Sequence, residues 1–246
     1  MKLALLDQAL ALAAGSAPVA LATELSSGRQ LLLTATLRVG ELDLASGDIA
    51  LIRARLGNGG ESGMVELSIG AVFVEIWSPA LRLLVVGGVH IAQSLAPLAR
   101  AANYRVTIID PRAAFASPER FPDVEVIPEW PDEAIPALAP DRRTAVVVLS
   151  HDPKIDDPAL IAALASDAFY IGALGSRRSH ASRRDRLRAS GLLPAAIDRV
   201  HGPVGLAIGA QSPAEIAISI LAEITAVLRG GARLSRSGWY PDGRDG

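Results

Sequence analysis

The stretch Leu81–Asp110, LRLLVVGGVHIAQSLAPLARAANYRVTIID, decides the fold. Its first six residues, Leu81 to Val86, form a short apolar run that stops at Gly87-Gly88. Apolar residues then recur at Ile91, Leu95, Leu98 and Ala102, the spacing of one face of an α-helix. Arg105 to Ile109 is again apolar and β-branched, and Asp110 follows it. Strand, glycine turn, helix, strand and acidic residue compose one βαβ unit.

Downstream the pattern repeats. Ala145 to Leu149 and the shorter Ala168 to Ile171 are near-continuous apolar runs. Strands read this way when helices cover both faces of a parallel sheet. Helices are expected over about 158–166, 179–190 and 213–229. The last has a clear start, with Ser212 as N-cap, Pro213 at the first helical position and Glu215 placed for a capping box.

Upstream of Pro79 the texture differs. An amphipathic opening helix carries Leu3, Leu5, Leu6, Leu10 and Leu12. The early Asp7 and Gln8 make it a poor secretory leader. Short β-like stretches follow at Gln30 to Val39, Ile49 to Leu56, Met64 to Leu67 and Ala71 to Trp77, separated by glycine turns. The expected organisation is a small α+β, β-rich domain over residues 1–79, with a hinge at Ser78-Pro79-Ala80. A Rossmann-like α/β domain follows over 80–232, a mostly parallel sheet with helices on both faces, and then a polar tail over 233–246.

Bulk properties remove several function classes. Half of the 246 residues are hydrophobic and 20 % are charged, a globular composition. A net charge of −2 gives no global attraction to nucleic acid or an anionic membrane. No apolar run approaches the length needed to span a bilayer. With no cysteine there is no disulfide, thiolate metal site or cysteine nucleophile, and a cytoplasmic address is the simplest fit. No spacing of His and acidic residues matches a metal template.

Four segments could carry chemistry. Gly87-Gly88-Val89-His90 places a glycine turn and a helix N-terminus after the first strand of the unit, where a dinucleotide pyrophosphate would lie. Asp110 is spaced to meet a ribose hydroxyl, but Val89 replaces the second glycine of the fingerprint and weakens a nicotinamide or flavin reading. Ser150-His151-Asp152-Pro153-Lys154-Ile155-Asp156-Asp157 follows the strongest strand, at the edge where ligands bind open α/β sheets. Its acidic residues equally suit turns and caps. Gly172 to His180 combines Gly172, Gly175, Ser176, Arg177, Arg178 and His180 at a strand-to-helix turn, the best anion site in the chain. Arg183 to Arg188 read instead as a solvated helix face. The loop Gly202 to Pro213, with Gly209, offers further backbone N–H groups before the last helix, in which Glu223 reads as a surface carboxylate.

Five stretches, in order, resemble the XdhC/CoxI family. They are Val106–Arg112, Phe115–Phe121, His151–Lys154, Tyr170–His180 and Gly202–Ile220. The resemblance implies a maturation chaperone without a catalytic residue of its own. It would bind the molybdenum cofactor (molybdopterin or its cytosine dinucleotide), protect it during sulfuration and deliver it to an apo molybdenum hydroxylase of the xanthine or CO dehydrogenase type. It also implies a homodimer and an encounter with a cysteine desulfurase. The implied cargo site draws on Gly87, Gly88, His90, Asp110, His151, Asp152, Lys154, the Gly172–His180 residues and Gly209. Two departures stand out. The family's usual Gly-Ala-Gly-His turn is Gly87-Gly88-Val89-His90 here, and Gly57 to Gly63 lacks the cysteine that many relatives carry in such a stretch. Beyond the Gly15-Ser16-Ala17-Pro18 stretch, little of the N-terminal region matches. The alternatives are an NAD(P)- or flavin-dependent oxidoreductase and a non-catalytic regulatory subunit.

Overall fold

The computed structural model describes residues 3–13, 18–57 and 60–230. The expected tail over 233–246 and Gly15-Ser16-Ala17 lie outside them. The chain forms two compact units, divided in sequence between Pro79 and Ala80.

In the first unit, α1 (Leu3–Ala13) precedes β1 (Val19–Glu24), β2 (Gln30–Leu33) and β3 (Arg38–Gly40). Then come α2 (Ser46–Gly57), β4 (Gly63–Leu67) and β5 (Gly70–Trp77). The five strands form one antiparallel sheet in the order β3-β2-β1-β5-β4. Alternation along β1 divides its side chains between two faces. Ala20 and Ala22 join Ile49, Ile52 and Leu56 of α2, while Val19 and Leu21 join Ala9 of α1. The structure corrects two expectations here. Ile49 to Leu56 belongs to helix α2, because Ile49, Ile52 and Leu56 recur at helical spacing and are buried together while Leu51 is exposed. The expected Gln30–Val39 strand turns at Thr34, whose side chain accepts the Thr36 and Leu37 N–H groups, and splits into β2 and β3.

The second unit runs β6 (Leu81–Val86), α3 (His90–Ala101), β7 (Tyr104–Ile109), β8 (Glu125–Ile127), α4 (Pro131–Leu138) and β9 (Thr144–Val148). It continues with α5 (Pro153–Leu164), β10 (Tyr170–Ala173), α6 (Arg177–Ala189), α7 (Pro194–Ile197), β11 (Val200–His201) and α8 (Pro213–Leu228). All neighbouring strands pair in parallel, in the order β11-β10-β9-β6-β7-β8. The first strand made lies in the middle and the order reverses between β6 and β9, which is the doubly wound Rossmann arrangement. Both faces are covered. Leu83 and Val85 of β6 point to the side of Leu95 in α3 and Ile220 in α8, and Leu84 and Val86 to the side of Leu160 in α5 and Ile135 in α4. That explains why all five residues of β9 are buried. The capping box at Ser212 and Glu215 forms as expected. Among the described residues no helix is long and apolar enough to cross a membrane.

The α3–β6–α8 face depends on Leu95, which is fully buried. Leu95→Ala is expected to cost about 3 kcal/mol, from lost transfer energy plus the cavity left behind. Urea unfolding followed by circular dichroism checks this, as a lower midpoint with an unchanged slope.

Candidate functional site at the carboxyl edge of the parallel sheet

The switch between β6 and β9 brings their carboxyl ends side by side, and the turns that follow meet there. Gly87 adopts φ +102°, and a Cβ on it would lie 2.8 Å from the Ser150 nitrogen, so only glycine lets these two turns touch. Gly88 is approached as closely from the loop after β7, since a Cβ there would lie 2.2 Å from the Phe115 carbonyl oxygen. Val89 does not project outward. It packs against the core beside α3, and His90 starts the helix, exposed to solvent.

Asp110 closes this first turn. Its carboxylate is fully buried and accepts the Gly88 N–H at 2.9 Å, the Arg112 N–H at 3.0 Å and both sides of the Arg112 guanidinium at 2.9 and 2.8 Å. Arg112 in turn stacks 4.2 Å from the centre of the Phe115 ring. Burial alone would raise the Asp110 pKa, but the Arg112 side chain and the two backbone N–H groups hold it below the ordinary value. The residue spaced to meet a ribose is thus turned inward, an anchor for the loop that covers Gly88.

The next two turns are open. Between the loop after β9 and the first turns of α6 lies a cleft of about 310 Å³, lined by His151, Asp156, Ser176, Arg178, Arg183 and Arg186, among others. His151 has φ +62°, a left-handed conformation rare outside glycine, and its side chain is exposed. Asp152 is the N-cap of α5 and accepts the Lys154 N–H at 3.0 Å, so it serves the helix, with Lys154 exposed in the first turn. Ser176 caps α6 in a capping box with Ser179. Gly172 lies within β10 and Gly175, at φ +146°, ends the loop before α6. Arg177 and Arg178 are both exposed, Arg178 at the cleft. His180 is half-buried with its ring against Gly202, and Gly209 lies in the exposed loop before α8. Of the expected residues, the structure therefore gathers His151, Ser176 and Arg178 around one opening. Gly87, Gly88 and Asp110 form the closed turn beside it.

Two features depart from the sequence reading. Arg183 is not on a solvated face. Its side chain is only 4 % exposed, donating to the Leu174 carbonyl at 2.8 Å and lying 3.4 Å from the equally buried Asp156 carboxylate. Ser150 donates to the other Asp156 oxygen at 2.5 Å. Burial raises the Asp156 pKa, opposed by Ser150 and Arg183. The available signal was the apolar residue one turn further on in each helix, since Asp156 precedes buried Leu160 and Arg183 precedes buried Leu187 by four positions. Glu223, read as a surface carboxylate, is likewise engaged. It accepts the Tyr170 hydroxyl at 2.5 Å and the Gly205 N–H at 2.8 Å, with His201 3.4 Å away. Burial would raise its pKa, and these three partners hold it down instead.

Most of this geometry falls within one region that known proteins share. The XdhC Rossmann domain family matches residues 83–224. The chain belongs to the XdhC family. It is similar to the uncharacterized protein YqeB of Escherichia coli K12, 31 % identical over 157 residues, which cover 64 % of this chain and 29 % of that protein. It is similar also to the molybdenum cofactor insertion chaperone PaoD of the same strain, at 33 % over 149 residues, 61 % of this chain and 41 % of PaoD. A Bacillus subtilis 168 protein named as a probable subunit of xanthine dehydrogenase is 32 % identical over 154 residues, 62 % of this chain and 44 % of that protein. The matched region thus spans less than half of each of these relatives. A crystal structure described as a xanthine dehydrogenase from Bacillus halodurans shares the fold, with a TM-score of 0.70 at 24 % identity over 92 % of this chain and 67 % of that one.

The Asp110–Arg112 pair sets an acid limb for this XdhC unit. A carboxylate whose pKa is lowered on folding stabilises above its unfolded value of 3.8, and the contribution is lost as pH falls through the folded value. Arg112→Ala is expected to destabilise by about 2 kcal/mol at pH 7, discounted because Arg112 is one-third exposed. The gap from the parent should begin to close as pH falls below about 4 and vanish only once pH has passed the lowered folded value of the parent, where Asp110 is neutral in both. Thermal unfolding of the two proteins across that range is the measurement.

Proposed function

We propose that the protein is an accessory factor for a molybdenum hydroxylase. In this reading it binds the molybdenum cofactor as cargo, shields it during sulfuration and passes it to the apo enzyme. The observation that carries the reading is the open cleft at the carboxyl edge of β9 and β10, where His151, Ser176 and Arg178 converge on one opening. The names of PaoD and of the B. subtilis relative support it. The chemistry fits the cargo. Molybdopterin carries a phosphate, which guanidinium groups and a helix N-terminus favour, and a flat polar ring system that hydroxyl and imidazole groups can hydrogen-bond. Because the chain has no cysteine, the cargo is held without a thiolate. Partners follow from the reading: an apo hydroxylase of the xanthine or CO dehydrogenase type, a cysteine desulfurase during sulfuration and a second copy of this chain, all in the cytoplasm.

A nicotinamide or flavin enzyme is disfavoured by the closed first turn, where Phe115 covers Gly88 and Arg112 occupies Asp110.

Protein purified from a host that makes molybdenum cofactor is expected to release pterin and molybdenum in near-stoichiometric amounts. Arg177→Ala combined with Arg178→Ala should lower the bound pterin by about tenfold, the loss expected when charge-assisted contacts to phosphate are removed. Fluorescence of the oxidised pterin and elemental analysis are the readouts. An empty protein that takes up no added cofactor sinks the reading and favours a purely regulatory role.

A further inference from the structure

We infer that Arg183, buried at the root of the β10–α6 cleft, is the phosphate-binding group of this chain, and that the ligand it takes ends in a phosphoryl or diphosphoryl group. The inference rests on the cargo reading for the identity of the natural ligand but not for the site.

Arg183 is an unusual residue to bury. Its Nη2 is engaged by Leu174 and Asp156, yet Nε and Nη1 have no hydrogen-bond partner although they are shut off from solvent. A guanidinium keeps its charge at any physiological pH, and buried N–H groups without acceptors are destabilising. Asp156 answers the charge only in part, because its oxygens are shared with Ser150 and its nearest approach to Arg183 is a long 3.4 Å. Oxygen atoms of a phosphoryl group are the acceptors that satisfy several such N–H groups at once.

The surroundings agree. The cleft opens at the N-terminus of α6, the positive end of the helix dipole, in a helix of 13 residues. Arg178 stands at its mouth, with no ion pair among the described residues. Arg186 is neutralised by Asp157, at 2.9 Å for one of its two contacts. The carboxylate that faces the site, Asp156, would repel an anion, and its burial pushes it toward the neutral form, which lessens that repulsion. At the first turn the opposite holds. The Gly88 N–H is spent on Asp110 and the Phe115 carbonyl lies against the glycine, presenting an acceptor where an anion would need donors. Phosphate recognition has moved two strands along the sheet, from the β6–α3 turn to the β10–α6 turn.

The test is calorimetric titration of the full chain with inorganic pyrophosphate, inorganic phosphate and cytidine diphosphate. Sub-millimolar pyrophosphate binding is expected, weakened about tenfold by Arg178→Ala and by Arg183→Lys, which keeps the charge beside Asp156 but loses the planar fork. Arg112→Ala should leave it unchanged. If Arg183→Lys unfolds, the contrast between Arg178→Ala and Arg112→Ala decides alone. Tighter binding of cytidine diphosphate identifies a nucleotide end, and equal binding of both identifies the phosphoryl group itself. No heat from pyrophosphate at about 10 mM, or binding lost in Arg112→Ala and kept in Arg178→Ala, overturns the inference. Pyrophosphate binding by a protein that carries no pterin leaves this site standing and removes the cargo reading. Bound pterin that is indifferent to Arg178 and Arg183, in a protein that takes up no pyrophosphate, does the reverse.

Discussion

A single buried carboxylate organises the ligand edge of the α/β unit. Asp110 ends β7 with no exposed surface and meets the Gly88 N–H from the neighbouring turn. A charge in such a place is tolerated only when it is fully paired, and the Arg112 guanidinium supplies the pairing. That requirement fixes the course of the chain after β7. Arg112 stacks on Phe115, and the Phe115 carbonyl then closes on Gly88. One ion pair thereby seals the turn that most doubly wound domains leave open to a dinucleotide. What remains accessible lies on the other side of the switch point, after β9 and β10.

The edge that stays open is built on opposite terms. There the buried charge is a cation, Arg183, and its partner Asp156 is shared with Ser150. Positive charge that is incompletely answered, in a cleft with low-dielectric walls, gives the local field a sign that the net charge of −2 does not disclose. Acid residues and arginines elsewhere on α5 and α6 pair across the surface, as Asp157 does with Arg186. The helix faces are therefore quiet around a cleft that is not.

The architecture was largely legible because its signals are one-dimensional. Strand runs such as Ala145 to Leu149, the Gly87-Gly88 stop and the Ser212–Glu215 cap depend on neighbours close in sequence. Ile49 to Leu56 reads wrongly as a strand because a short apolar run fits strand and helix alike, and only the partners of Ile49, Ile52 and Leu56 decide between them. The site was less legible for a related reason. Sequence spacing marks which residues follow a strand but not which way they turn. Arg183 lies among charged residues whose pattern suits a surface helix, while Glu223 is an acid on the apolar background of α8, and their burial comes from contacts 27 and 53 positions away, with Asp156 and Tyr170. Asp152 shows the converse, a conspicuous acid in a promising loop whose side chain caps a helix.

The strand order also bears on how the protein is made. β6 emerges first yet occupies the centre of the sheet, and α3, which follows it, packs against α8, the last helix described. The apolar face shared by Leu83, Val85 and Leu95 therefore lacks one wall until Ile220 and Ile224 have left the ribosome. Such distant pairings fold slowly, because the chain entropy of closing the loop is spent before the contact repays it. During synthesis the nascent α/β unit exposes a sticky half-core for well over a hundred residues of translation, from Leu83 to Ile220. A protein whose own role is proposed to be guardianship of a labile cargo thus passes through a stage in which it depends on being guarded itself.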